Sequence, residues 1–275
     1  MGLIKITLDY EEVTTVIKDF IKTYVENSRC KGVVIGLSGG IDSAVTAVLC
    51  KQALGKENTL CLFLPEEATP KDDIKHQQIV VEKYDLLSKT INIDPVVKQI
   101  SNISAVAPNK MARANLKARI RMAILFEYAF MKKSLVCGTS NKSEILVGYF
   151  TKYGDGGVDI MPIGDLYKTQ IYELAKFLKI PKEIISKPPT AGLIKGQTDE
   201  KELGCNYKTL DKILLGLELK KDISVIAKDA NISNSFVKEV KNMRVNSQHK
   251  RHTPLIPKIG SRTPVLDWRT PVQLG

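Results

Sequence analysis

Residues 36 to 43 read Gly-Leu-Ser-Gly-Gly-Ile-Asp-Ser and follow directly on the apolar run Gly32-Val33-Val34-Ile35. An apolar run without alternation suits a strand buried on both faces. Beyond the loop, Ala44-Val45-Thr46-Ala47-Val48-Leu49-Cys50 suits the first turns of a buried helix. Strand, small-residue loop and helix in that order confine the chain to an α/β architecture. They also put a ligand at the junction, where unpaired N–H groups and the positive end of the helix dipole converge. Such a junction binds anions, above all phosphates. Gly39 and Gly40 let the backbone approach a ligand, and Ser38 and Ser43 add hydroxyl groups. The carboxylate of Asp42 makes sense beside phosphates chiefly when Mg²⁺ lies between them. No Gly-Lys-Ser/Thr follows, so this is not a Walker A loop. Ser38 stands where the dinucleotide fingerprint needs its second glycine.

The rest of the first half repeats the β-α pattern. An apolar stripe from Val13 to Tyr24 predicts a helix over residues 10–28, and the helix after the loop ends near Gly55. Strands are expected at Leu60–Leu64, Thr90–Ile93 and Ser134–Cys137, with helices at Lys71–Leu87 and Lys110–Met131 between them. A repeat of roughly 30 residues predicts a doubly wound parallel sheet with helices on both faces. Ligands in such sheets bind at the carboxyl ends of the strands, near a switch in strand order. The phosphate loop and Gly138-Thr139 both lie at such ends and are expected to share one crevice. Residues 140–164 hold five glycines and no clear period, as a long functional loop would. Further helices are expected at Asp165–Lys179, Asn206–Gly216, Asp222–Asp229 and Ser233–Ser247, the last capped by Ser233. Residues 1–251 are expected to form one domain, and 252–275, with Pro254, Pro257, Pro264 and Pro271, an extended tail.

Composition narrows the classes. With 275 residues and 43% hydrophobic content the chain can bury one sizeable core. No stretch approaches ~20 uninterrupted apolar residues and no secretory h-region is visible, which predicts a soluble, cytoplasmic protein without a membrane partner. The five cysteines show no Cys-x-x-Cys spacing and read as core residues in a reducing compartment; the three histidines are too scattered for zinc. Much of the net charge of +11 lies near the end, where eight lysines and arginines from Lys238 onward stand against Glu239 and Asp267. Such a patch suits nucleic acid, an anionic small substrate or a solvated face. Interleaved aromatics are lacking, and no nucleic-acid partner is expected.

The loop Ser38-Gly-Gly-Ile-Asp-Ser43 resembles that of the ATP pyrophosphatases, which transfer AMP and hold the departing pyrophosphate there. Five further segments resemble the NAD synthetases. They are Asn115-Leu-Lys-Ala-Arg-Ile-Arg-Met122, Gly138-Thr-Ser-Asn-Lys-Ser-Glu144, Gly148-Tyr-Phe-Thr-Lys-Tyr-Gly-Asp-Gly-Gly-Val-Asp159, Leu166-Tyr-Lys-Thr-Gln170 and Gly196-Gln-Thr-Asp-Glu-Lys-Glu-Leu-Gly204. The likeness runs from about residue 10 to His249-Lys250-Arg251. It implies a Rossmann-like sheet of the adenine nucleotide alpha hydrolase type with additional C-terminal helices. It also implies a reaction: deamido-NAD, ATP and ammonia give NAD, AMP and pyrophosphate. A carboxylate lacks a leaving group, so it is first adenylated, and ammonia then attacks the mixed anhydride.

Carried over by position, the resemblance implies that Gly36, Leu37, Ser38, Gly39, Gly40, Ile41, Asp42 and Ser43 hold the ATP phosphates. Thr139, Lys168 and Thr190 match ATP contacts, and Asp42 and Glu144 match Mg²⁺ ligands. Arg119, Lys152, Asp159, His249 and Lys250 match positions that hold deamido-NAD, and Asp155 matches an acid that orients or deprotonates ammonia. Asp155 and Lys168 are thus the expected catalytic pair. Many members carry an acid where Gly192 stands. Relatives that use glutamine have an added amidohydrolase domain, for which this chain has no room, so free ammonia is the expected nitrogen source. The family implies a homodimer with deamido-NAD across its interface, built from the first long helices and Lys110–Met131. Plainer alternatives attach to single residues: Asp42 as a helix cap, Glu144 as a solvated residue, Lys168 as an i,i+3 partner of Asp165, His249-Lys250 as a tail pair. Two other functions fit the loop alone, a tRNA-modifying enzyme and a nucleotide sensor without turnover.

Overall fold

The computed structural model describes residues 8–103, 109–190 and 198–263. The chain opens with α1 (Tyr10–Asn27), in which Asp9 accepts N–H bonds from Glu11 and Glu12 and Ile17, Ile21 and Val25 make the buried stripe. Strand β1 (Gly32–Gly36) leads through the phosphate loop into α2 (Ile41–Leu54). There follow β2 (Thr59–Phe63), α3 (Lys71–Lys83), β3 (Leu87–Thr90), α4 (Asp94–Ile103), α5 (Lys110–Lys132) and β4 (Ser134–Cys137).

The four strands are parallel and ordered β3-β2-β1-β4. The chain winds outward from β1 to β3 and then crosses to the other side of β1, so the order switches between β1 and β4. This is the doubly wound sheet that the β-α repeat predicts. Val33 and Ile35 face a core shared with α1 and α2, while Val34 faces a second core with Leu62, Val136 and Leu125 of α5. Helices therefore cover both faces, which explains why β1 is apolar without alternation. Gly32 is dictated by packing, since a Cβ there would overlap the carbonyl of Asn58.

The third strand lies three residues earlier than its apolar residues suggest. Leu87 to Thr90 pair with Leu60 to Phe63, whereas Ile91 and Ile93 continue the contact only through single N–H bonds to Phe63 and Pro65. As an edge strand β3 stays largely exposed, so it tolerates Ser88 and Lys89, and the buried Ile93 packs in the loop beyond it. The preceding helix ends at Lys83 rather than Leu87.

The glycine-rich stretch after β4 is less irregular than its sequence. It opens with α6 (Lys142–Val147), and a parallel bridge from Cys137 to Ile160 extends the sheet beyond β4. Then come α7 (Lys168–Phe177), α8 (Lys182–Ile185), α9 (Asp199–Leu203), α10 (Tyr207–Glu218), α11 (Ile223–Ala230), α12 (Asn234–Asn246) and α13 (Gln248–Arg251). Helices α10 to α12 enclose an apolar cluster of their own around Leu210, Ile213 and Val237, joined by Val147 of α6 and Tyr167 ahead of α7. Ser233 caps α12 through its bond from the Phe236 N–H, as expected. Residues 252–263 carry no helix or strand, and 264–275 lie outside the described residues. Among the described residues no helix is long and apolar enough to cross a membrane. Cys50, Cys61 and Cys137 are buried in the core and no disulfide is present among the described residues; burial pushes the Cys61 thiol up to about 12.

Candidate active site

A cavity of about 550 Å³ opens at the carboxyl ends of β1, β2 and β4, over the switch in strand order. The phosphate loop forms its floor. Gly40, the cap residue of α2, offers no side chain to the first turn, whose N–H groups have no partner inside the helix. The loop is braced instead by its serines: Ser43 Oγ accepts from the Ser38 N–H at 3.2 Å and donates to the Gly40 carbonyl at 2.9 Å. Gly39 takes φ of +84°, and a Cβ there would overlap the carbonyl of Asp73. Gly39→Ala is therefore expected to cost about 1–3 kcal/mol from backbone strain alone. It should also weaken ATP binding, which thermal melts with and without ATP will report.

Opposite the loop stands a buried cluster of charge. Lys168, the first residue of α7, is almost fully enclosed and bonds Asp42 directly, with Glu144 Oε1 at 3.7 Å. Asn141 ties the two carboxylates together. Its Nδ2 donates to Asp42 Oδ1 at 3.1 Å, its Oδ1 accepts from the Glu144 N–H, and its own N–H donates to Glu144 Oε2, a capping box at the start of α6. Behind Lys168, Asp211 accepts from Ser143 Oγ at 2.5 Å and from the Thr169 N–H at 2.8 Å, which fixes the entry to α7. Burial and the neighbouring Asp42 push the Glu144 carboxyl up to about 8. Burial works against the Lys168 ammonium, yet Asp42 and Glu144 together hold its pKa above the usual lysine value.

Two carboxylates facing one cation are a natural place for a divalent ion. Mg²⁺ is usually held by one or two carboxylates, with waters and substrate phosphates completing six oxygens. Asp42 and Glu144 supply that number, and among the described residues no larger group of acids and histidines is available. The residues fit the ion. Asp42 does not cap its helix, Glu144 is largely buried, and Lys168 pairs with Asp42 and Glu144 rather than with Asp165, which meets Lys142.

The remaining expected residues divide into two groups. Thr139, Asp155, Thr190 and Lys250 line the cavity together with the loop residues, Gly39 excepted. Asp155 turns its open surface to the cavity while its Oδ1 accepts the Thr151 N–H at 2.9 Å; burial raises its pKa. Lys250 is docked by bonds of 2.7 and 2.9 Å to the carbonyls of Gly148 and Phe150, and Arg251 reaches those of Ile145 and Leu146. Both cations thus meet the negative end of α6, which gives the basic terminus a structural use. Arg119, Lys152, Asp159 and His249 do not line the cavity. Arg119 Nε bonds the Lys152 carbonyl at 3.2 Å, and Asp159 Oδ2 accepts the Val136 N–H at 2.7 Å, at the sheet's margin. His249 is exposed on α13.

Several cavity residues carry no sequence signal of their own. Arg121, not Arg119, enters the cavity, with Nε on the carbonyl of Leu64 at 3.0 Å. Burial lowers its pKa, against the pull of Glu66 and Asp155. Lys187 lines another wall and bonds Asp73, and Asp199 enters beside the Lys168 cluster with its Oδ2 bonded by Tyr207.

The family model of NAD synthase matches residues 13–254. The NH(3)-dependent NAD(+) synthetase of Sulfurisphaera tokodaii is 43% identical over 274 residues, covering 98% of this chain and 97% of the relative. Among solved structures, the NMN synthetase of Francisella tularensis superposes with a TM-score of 0.82 at 33% identity, covering 92% of this chain and 100% of that one. The NH3-dependent NAD synthetase of Campylobacter jejuni, solved with a nitrate ion, gives 0.78 at 35% identity over the same shares.

Proposed function

The chain belongs to the NAD synthase family, and from that premise we propose how its cavity divides the work of the reaction. The activity is the ATP-dependent amidation of deamido-NAD with ammonia, the last step of NAD biosynthesis, and the protein is a ligase. The observation that carries the assignment to this cavity is the Asp42–Lys168–Glu144 cluster facing an uncapped phosphate loop.

The first half-reaction forms a bond from the acceptor carboxylate oxygen to the α-phosphorus of ATP and breaks the bond to the β-phosphate. The loop N–H groups at residues 41–43 and the hydroxyl of Ser38 receive the leaving pyrophosphate, while Ser43, donating to the Gly40 carbonyl, holds the loop in place. Asp42 and Glu144 are the residues that would hold Mg²⁺, which when bound neutralises phosphate charge. Lys168 supplies a fixed positive charge between them, and Thr139 and Thr190 offer hydroxyls at the cavity wall. In the second half-reaction ammonia attacks the acyl carbon and AMP leaves. Asp155 accepts the proton that ammonium must lose, and its carboxylate is preset by the Thr151 N–H.

Arg119, Lys152, Asp159 and His249 lie outside the cavity. They suit the distal half of the dinucleotide in a two-fold dimer. On α5 the side chains of Phe126, Phe130 and Met131 are exposed, Phe130 at 88%, as an isologous helix interface requires. Phe130→Glu is expected to convert the dimer to monomers in sedimentation, with deamido-NAD affinity lost alongside.

The likeness to an NMN synthetase favours a second acceptor, nicotinic acid mononucleotide, in which the same carboxylate is adenylated. The test is product analysis by chromatography with purified protein, ATP and Mg²⁺. Deamido-NAD and the mononucleotide are compared as acceptors, and ammonium and glutamine as nitrogen donors. NAD and AMP in equal amounts with deamido-NAD and ammonium are expected. Faster turnover of the mononucleotide would reassign the acceptor, and AMP without an amide product would remove the ammonia half from this cavity.

A further inference from the structure

The cavity holds a second lysine–carboxylate pair that the reaction described so far does not use. Lys187 lines the wall three residues before Thr190, and its Nζ bonds the carboxylate of Asp73. Both side chains are largely enclosed, with 19% and 9% of their surface open. Asp73 lies in the first turn of α3, and its carbonyl occupies the space that a side chain at Gly39 would need. Asp73 is therefore pressed against the phosphate loop, and through it the Lys187 ammonium is anchored beside that loop.

The other cavity cations are engaged elsewhere. Lys168 is shared between two carboxylates, Lys250 sits on two carbonyls at the end of α6, and Arg121 rests on the Leu64 carbonyl. The Lys168 charge is already offset by Asp42 and shared with Glu144, so that cluster has no spare positive charge for a polyphosphate. Bond cleavage at the α-phosphorus sends the electron pair onto pyrophosphate and increases the charge at the far end of the loop. A lysine suits that position. Its ammonium has three donors, so it can keep Asp73 and still reach a phosphate oxygen, and its four-carbon stem lets it follow the leaving group.

We propose that Lys187, oriented by Asp73, is a second phosphate-binding cation of this cavity that contacts the terminal phosphates of ATP and the departing pyrophosphate. The inference rests on the ATP-cleaving reading of the cavity and adds a residue to it. Asp73 is the positioning residue and Lys187 the contact.

Calorimetric titration of pyrophosphate, ATP and AMP into the wild type, Lys187→Met, Lys187→Arg and Asp73→Asn tests it, each variant also being melted thermally. Lys187→Met is expected to weaken pyrophosphate and ATP by about 10- to 100-fold, the scale of a lost charge-assisted contact, and to leave AMP unchanged. Lys187→Arg should recover most of the loss, and Asp73→Asn should fall between. Unchanged pyrophosphate affinity in Lys187→Met with a lowered melting temperature would overturn the proposal and leave Lys187 as a tether of its segment to α3. Equal weakening of AMP and pyrophosphate would also overturn it. These titrations need no turnover, so they stand apart from the amidation reading, which fails only if the wild type makes no amide product.

Discussion

Lys168→Met is expected to lower kcat/KM for ATP by at least about 10²–10³-fold, the usual loss when one preorganised electrostatic contact is removed from an active site. The reason lies in how little freedom the side chain has. Lys168 is 2% exposed, bonded to Asp42 and close to Glu144, and its ammonium stands 5.3 Å from the Tyr207 ring. Methionine fills a similar volume but leaves two acids facing each other without a cation. Breaking a buried pair from one side typically costs about 3–5 kcal/mol, so the variant should also melt lower. Both losses have to be separated. Lys168→Arg keeps the charge but cannot place a planar guanidinium where a compact ammonium fits, so it should regain stability before activity. Steady-state kinetics beside thermal melts will distinguish the two. Full ATP affinity and full turnover in a stable Lys168→Met would remove the residue from the site.

What sequence reading delivers here follows the range of each interaction. The phosphate loop is legible because all its parts are local: a buried strand, two glycines and the first turn of a buried helix lie within one short segment. The cap at Ser233 is legible for the same reason, whereas the capping box of Asn141 is hidden in a glycine-rich stretch without a helical period. Lys187 and Asp73 are not, since they meet across 114 residues and neither stands in a periodic pattern. The edge strand β3 illustrates another limit. Apolar content points to Ile91 and Ile93, but pairing with β2 decides the strand, and an edge position accepts the polar residues before them. Arg119 and Arg121 show what a motif leaves out. Two residues apart on a helix, their side chains point about 200° apart. Only one can enter the cavity, and it is Arg121. The resemblance selects Arg119, which the structure sets outside the cavity with its Nε on the Lys152 carbonyl. A substrate spanning the proposed dimer would give both arginines a use.

Asp155→Asn is expected to reduce kcat/KM for ammonium by about 10²–10⁴-fold, the range for a positioned general base, while ATP-dependent adenylation survives. Asparagine keeps the shape and, through its Oδ1, the bond from the Thr151 N–H, so only the proton acceptor is lost. The pH dependence separates this from a packing effect. Burial raises the Asp155 pKa, against the Thr151 N–H and the charge of Lys250, and Arg121 adds its charge from the α5 wall. The basic form therefore appears at a higher pH than for an ordinary aspartate. In the wild type, kcat/KM for ammonium should fall on the acid side as that group takes up its proton, and the variant should lose this limb. Stability carries the opposite sign. A carboxyl whose folded pKa lies above its unfolded value is most favourable to folding below the unfolded pKa, and that contribution is lost as pH rises through the folded one. At neutral pH the ionised Asp155 therefore works against folding, and Asp155→Asn should melt no lower than the wild type. A stable protein that adenylates its acceptor but fails to amidate it is the signature of the role assigned. An Asp155→Asn variant with full turnover at low ammonium would assign the proton to another group.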